Sequence, residues 1–262
     1  MIKPGLFNSI FVIPILNILV LFYFVFEFLH IPYAFGFAII ALTALVRIIL
    51  QPFFNQQMQT SKKMQEIKPQ MDALTKKYKN DKKGLQQEQL KLYQQAGINP
   101  ASGCLYMIIQ IPIFIALFNT FNLFLNAKDM TKVIAEINNV LYLPFLKIAG
   151  TIDPNFFGLN LAQAPQKFGV SVYLLVPIVT AVLQYYQAKV ATPPAPVTKG
   201  ETGEIKKETV KQEDFQKAMS TQMKYIFPLL IGWFAWTLPA GLSLYWNVFS
   251  IFSIIQYSKL KK

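Results

Sequence analysis

The chain has 262 residues, of which 53% are hydrophobic and only 15% charged, where an ordinary soluble domain carries about 25% charged residues. One Cys and one His exclude a disulfide framework and a zinc site of the usual spacing. No phosphate-cradling Gly-rich loop ending in Lys-Ser/Thr and no Gly-x-Ser-x-Gly elbow gives ATP hydrolysis or serine catalysis a foothold, so no catalytic residue, metal or cofactor is expected.

The charges are unevenly spread, with no Lys, Arg, Asp or Glu in residues 4–26, 28–46, 92–127, 168–188 or 225–258. A helix needs roughly 20 mostly apolar residues to cross about 30 Å of hydrocarbon, and each gap approaches or exceeds that length. The expected class is an all-α polytopic membrane protein. The formal charge of +12 then speaks to topology rather than to nucleic acid, for which no specific binding is expected.

Residues 1–33 read as an N-terminal helix, either interfacial or an extra span, interrupted by Pro4, Asn8, Pro14 and Asn17 and closed by Glu27. Residues 34–57 read as the first core span, with Arg47 near its middle. Residues 58–99 carry nine Lys against four acids and break at Asn80-Asp81 and at Gly97 to Pro100. This pattern predicts a water-exposed helical hairpin with an apolar stripe at Met64, Ile67, Met71 and Leu74.

Residues 100–126 read as the second core span, kinked at Pro112, and 127–169 as an ordered outer loop. Residues 170–190 give the third span and 191–220 a polar linker. The uncharged run 225–258 would rise about 50 Å as one helix, so Pro239-Ala240-Gly241 should divide it into a fourth span, 221–238, and a fifth, 241–258, before the basic tail 259–262. With that division the hairpin 58–99, the stretch 189–224 around the linker and the tail 259–262 share one side holding 19 of the 25 basic residues, and the positive-inside rule makes that side the cytoplasm.

Arg47 is the single Arg beside 24 Lys. Burying it in a span costs from about 3 to more than 10 kcal/mol depending on the scale, so it should face a wet cavity or a partner. Thr43, Arg47, Gln51 and Asn55 recur every four residues and would share one helical face. Similar polar stripes run through Thr180, Gln184 and Gln187, and through Ser243, Asn247, Ser250 and Ser253. Converging, they would make a cationic hydrophilic groove. The only acid and His near a span, Glu27 and His30, lie at a boundary, which weakens the alternative of a small-molecule or ion transporter.

Four motifs in order, LTALVRIILQP, KKMQEIKPQMDALTKKYKNDKKGLQQEQLKLYQQAGINPASGC, IIQIPIFIALF and LPAGLSLYW, closely resemble the YidC/Oxa/Alb membrane insertase family. The resemblance covers about residues 33–125 and 170–258. It implies a five-span core, a cytoplasmic hairpin, and a groove in which Arg47 attracts the substrate and Gln187 and Trp246 face the same space. The candidate groove set is Arg47, Thr43, Gln51, Gln184, Gln187, Trp246 and Asn247. A client helix would slide along Ile111, Phe114, Ile115 and Phe118 on the second span and Leu244, Val248 and Phe252 on the fifth, and would dock at Lys62, Lys63, Lys68, Lys76 and Lys77.

The resemblance further implies nucleotide-independent insertion of nascent or newly made membrane proteins into the bilayer. A Sec-type translocon and the ribosome are further candidate partners, and a bacterial plasma membrane is the expected location. Tyr106 stands where the family's motif usually has Pro, and on this reading the long basic tail and large extracytoplasmic domain of some relatives are missing.

Overall fold

The computed structural model describes residues 5–78, 81–99, 102–125, 130–191 and 222–260. The predicted linker 191–220 lies almost entirely outside them, as do the side chain of Tyr106 and Lys261 and Lys262 of the tail.

Helix α1 runs Asn8–Phe28 and opens with a π-helical turn, Asn8–Val12, directly before Pro14. The wider turn, in which Ile13 N–H reaches back to the Asn8 carbonyl, relieves the crowding of the proline ring against the preceding turn. The same device recurs at Gln222–Ile226, just before Pro228. One face of α1 is buried at Val12, Ile15, Leu16, Leu19, Val20 and Tyr23, the three- and four-residue spacing of a packed helix. Its other face is also apolar, with Leu21, Phe24, Val25 and Phe28 exposed. By length and apolar composition this helix is able to cross a bilayer.

Helix α2, Ala34–Ile49, packs on α1, with the Phe35 and Tyr23 rings edge to face, and buries Ala38, Ile39 and Leu42 in the common core. The expected unbroken span 34–57 is divided at Leu50, where the chain turns by 64° into α3, Gln51–Glu66. The cause is Pro52 in the first turn of α3, which cannot donate to the carbonyl four residues back and crowds it. Pro69 divides α3 from α4, Lys68–Lys77, in the same way at Ile67. Asp81 caps α5, Lys82–Gln95, by accepting from Gly84 N at 2.9 Å. Ile67, Leu85 and Ile98 are buried in this hairpin, while Met64, Met71 and Leu74 of the expected stripe are half-buried. Ser61 Oγ donates to the Ala191 carbonyl, tying the hairpin to the end of the helix that spans Leu175–Ala191.

Helix α6, Ser102–Leu125, continues through Pro112. The outer segment holds α7, Met130–Asn138, and a two-stranded antiparallel pair, β1 Asn155–Phe156 and β2 Leu159–Asn160. Helix α8, Leu175–Ala191, packs closely on α9, Phe227–Thr237, and on α10, Ala240–Leu260. The expected break at Pro239 is present, with Leu238 extended as the residue before a proline tends to be. A Cβ on Gly232 would lie 2.9 Å from Ala181 Cβ, so α8 and α9 approach at small residues. By length and apolar composition among the described residues, Asn8–Phe28 and Val172–Ala191 could each cross a bilayer, and the bent pair α2–α3 makes a third. Helix α10 has the length, but Ser243, Asn247, Ser250, Ser253 and Gln256 dilute its apolar character.

The outer segment fastens the helices at one end. Asn17, buried in α1, donates to the Val140 carbonyl at 3.0 Å and accepts from Tyr142 N at 2.7 Å. The Gln163 and Leu161 carbonyls accept from Ala240 N and Gly241 N, at 3.0 and 2.9 Å, satisfying two orphan donors at the start of α10. Phe156 fills the space over Gly36, where a Cβ would come 2.0 Å from its ring. Gly36→Ala should therefore expel this ring and destabilise the protein by about 1–3 kcal/mol, as overpacking does. A lowered melting temperature in detergent, against an unchanged one for Gly150→Ala, where a Cβ meets nothing within 4 Å, checks this.

Candidate functional site

The bend at Leu50 decides the geometry of the site. It leaves Thr43 and Arg47 on α2 and carries Gln51 and Asn55 away on α3, so Arg47 lies in the last turn of α2 rather than at mid-span. The negative end of a helix dipole favours a cation there. The expected open, wet recess around Arg47 is closed in this structure: the residue is 2% exposed. Its guanidinium carbon lies 3.6 Å from the centroid of the Phe54 ring and 4.5 Å from that of Phe249. Its Nη2 donates to Ser253 Oγ at 2.9 Å and to Gln256 Oε1 at 2.7 Å. Phe249, Ser253 and Gln256, spaced four and three residues apart, form one face of α10.

Gln256 continues the network by donating to Gln51 Oε1, and Gln51 donates to Asn55 Oδ1 at 2.7 Å. The polar path therefore leads from buried Arg47 through half-buried Gln256 and Gln51 to exposed Asn55. The Arg47–Gln51–Asn55 stripe survives as this path rather than as one helical face. Phe54, Phe249 and Gln256 were not among the residues picked out for the groove. The aromatic faces lacked any polar signature, though Gln256 sits three residues beyond Ser253 and extends its stripe.

The remaining groove residues divide into satisfied and unsatisfied groups. Thr43 Oγ1 donates to the Ile39 carbonyl of its own helix at 2.7 Å, and Gln184 Nε2 donates to Ser250 Oγ at 3.1 Å across α8 and α10. Both are buried and serve helix packing in this conformation. Gln187 Oε1, Asn247 Oδ1 and Ser243 Oγ are buried without a hydrogen-bond partner among the described residues, a state that costs about 1–3 kcal/mol per group. Gln110 Nε2 donates to Tyr245 OH at 2.6 Å, but its Oε1 also lacks a partner. Trp246 stacks on Phe114, centroids 5.5 Å apart and planes 12° apart, joining α10 to α6.

On the expected sliding surface, Ile111 and Ile115 are 57% and 41% exposed. Phe114, Phe118, Leu244, Val248 and Phe252 are half-buried. Lys62, Lys63, Lys76 and Lys77 are exposed on the hairpin and Lys68 is half-buried. A cleft of about 320 Å³ between α4 and α5 is bordered by Leu74, Lys77, Glu88 and Lys91. Lys91 donates to Glu88 at 2.6 Å, and that hydrogen bond and charge hold its ammonium above the ordinary value. Among the described residues no group of His, Cys, Asp and Glu could hold a metal ion.

The sequence profile of the 60Kd inner membrane protein family matches residues 12–262. The chain belongs to that family. It is the YidC/Oxa/Alb group whose motifs the sequence carries. The chain is 31% identical over 243 residues to the membrane protein insertase YidC of Nitrobacter hamburgensis, covering 90% of this chain and 35% of that protein. Another YidC, from Beijerinckia indica, is 31% identical over 235 residues, 87% of this chain and 34% of its own length. The inner membrane ALBINO3-like protein 1, chloroplastic, of Chlamydomonas reinhardtii is 29% identical over 244 residues, 89% and 45% respectively. The chain thus spans about a third to a half of the length of these 60Kd-family relatives.

Within this family member the Arg47–Gln256–Gln51 path is a testable unit. Gln256→Leu removes an acceptor from Arg47 and a donor to Gln51, and should cost about 1–3 kcal/mol of stability. A double-mutant cycle with Gln51→Leu should be less than additive, since the second change removes the stranded partner of the first.

Proposed function

We propose that the protein is a membrane insertase and chaperone, which receives hydrophobic polypeptides and moves their short polar segments across the bilayer without nucleotide hydrolysis. The observation that carries this reading is the placement of the chain's single Arg, buried among apolar helices, at the inner end of a polar path that reaches the surface at Asn55. Membership of a family whose bacterial relatives are named membrane protein insertases supports it. The unpartnered Gln187, Asn247 and Ser243 oxygens point the same way, because a passing peptide backbone offers the N–H donors they lack.

In this reading five core spans, built from α2 with the start of α3, α6, α8, α9 and α10, stand in a bacterial plasma membrane. The Lys-rich hairpin and the C-terminal end of α10 face the cytoplasm, as the positive-inside rule requires. The hairpin lysines receive the client, and an acidic or polar segment passes to Arg47, where a charge in a low-dielectric setting acts strongly. The adjoining apolar helix leaves along Ile111 and Ile115 of α6 and the neighbouring face of α10, where exposed apolar surface is continuous with lipid. Partners are newly made membrane proteins, with a Sec-type translocon and the ribosome as further candidates.

The test is insertion of a single-span client with an acidic translocated tail into proteoliposomes. Arg47→Ala should lower its insertion severalfold, while Arg47→Lys should keep most of it because the charge is retained. Undiminished insertion by the Ala variant removes the charge role. Flux of small solutes or ions through the same vesicles, with no polypeptide present, would favour a transporter instead.

A further inference from the structure

The cradle around Arg47 has two walls of different origin. Phe249, Ser253 and Gln256 belong to α10, which packs along both α8 and α2. Phe54 arrives from beyond the 64° bend at Leu50, on the helix that leads directly into the hairpin. It makes the closer of the two ring contacts, 3.6 Å against 4.5 Å. It is only 2% exposed and meets Tyr257 of α10 edge to face, with centroids 5.4 Å apart. Phe54 therefore covers one face of the guanidinium, and its helix also carries Gln51 and Asn55 of the polar path.

We propose that Phe54 is a resident plug over Arg47, which covers one face of the guanidinium at rest and is displaced when the client's acidic or polar segment enters. This rests on the insertase reading above and adds a selection step to it. A carboxylate offers Arg charge-assisted, often bidentate hydrogen bonds, which exceed the attraction of an aromatic face. Those bonds form at the N–H edge rather than on the face, so an acidic segment gains enough there to move the ring that shields the cation. An apolar segment offers the guanidinium nothing that the ring does not already supply, and leaves it in place. The plug also denies the buried cation to small anions when no client is present. The hinge that allows displacement is the Pro52-induced break, where Leu50 already lies outside regular helix.

The chain's single Arg makes the plug directly measurable. Full-length protein in vesicles of phosphatidylethanolamine and phosphatidylglycerol is treated with phenylglyoxal, and modification of Arg47 is followed by mass spectrometry. Wild type and Phe54→Trp should react slowly, and Phe54→Ala about tenfold faster or more, the order of a desolvated cation–π contact. Photocrosslinking to a stalled client should rise in Phe54→Ala, with reduced discrimination between an acidic tail and the same tail made neutral.

Equal labelling of Phe54→Ala and wild type, or wild type reacting as fast as a free arginine derivative, overturns the plug. If the melting curve shows that Phe54→Ala is unfolded, Phe54→Leu decides: it keeps apolar bulk without a π face, so faster labelling than wild type supports the plug and equal labelling refutes it. Insertion by Arg47→Ala is scored separately. Normal insertion there together with fast labelling of the Phe54 variant would remove the charge role in insertion and leave the plug standing.

Discussion

A guanidinium between two aromatic rings, at the last turn of an otherwise apolar helix, sets the terms for the whole inner half of this protein. Removing such a cation from water is among the more expensive acts in a membrane protein. The surrounding sequence answers with several modest compensations. Ser253 and Gln256 accept hydrogen bonds from it, the Phe54 and Phe249 rings lie against it, and the carboxyl end of α2 supplies a partial negative charge. These groups come from α2, α3 and α10, so accommodating one charge fixes the mutual positions of three helices.

The opposite end of the bundle is organised by backbone rather than by charge. The outer segment lends carbonyls to the start of α10 and clasps Asn17 of α1, while Phe156 presses into the space that Gly36 leaves. The helices are thus tied together at that end, whereas the Arg47 end is joined by side chains across a proline-made break. A bundle built this way can yield at the Arg47 end without losing its frame.

Much of this was legible in the residues. Charge-free runs located the helical segments, Pro239 separated α9 from α10, and Asp81 began α5 as its capping chemistry demands. Arg47, Gln51 and Asn55 are joined through Gln256 in one hydrogen-bonded path, but not on the single helical face that their spacing with Thr43 suggested, because Pro52 interrupts the period. Pro52 and Pro69 were visible signals for breaks, overridden by the apolar or helix-forming residues around them. The cage was harder to foresee. Phe54 and Phe249 resemble every other aromatic in a chain with 23 Phe, and only the fold sets their rings over one cation. Asn17 read as an interruption of an apolar run, because its partners lie 123 and 125 residues later.

That separation bears on how the protein is itself made. While α1 is emerging, Asn17 can satisfy its amide only on the Ile13 carbonyl of its own helix, leaving its oxygen to find water or headgroups. Release comes when Val140 and Tyr142 arrive, and the seam closes again later when Ala240 and Gly241 reach the waiting carbonyls of residues 163 and 161. Until those groups arrive the Asn17 oxygen depends on solvent that it later gives up, which is the predicament of the chains the protein is proposed to escort.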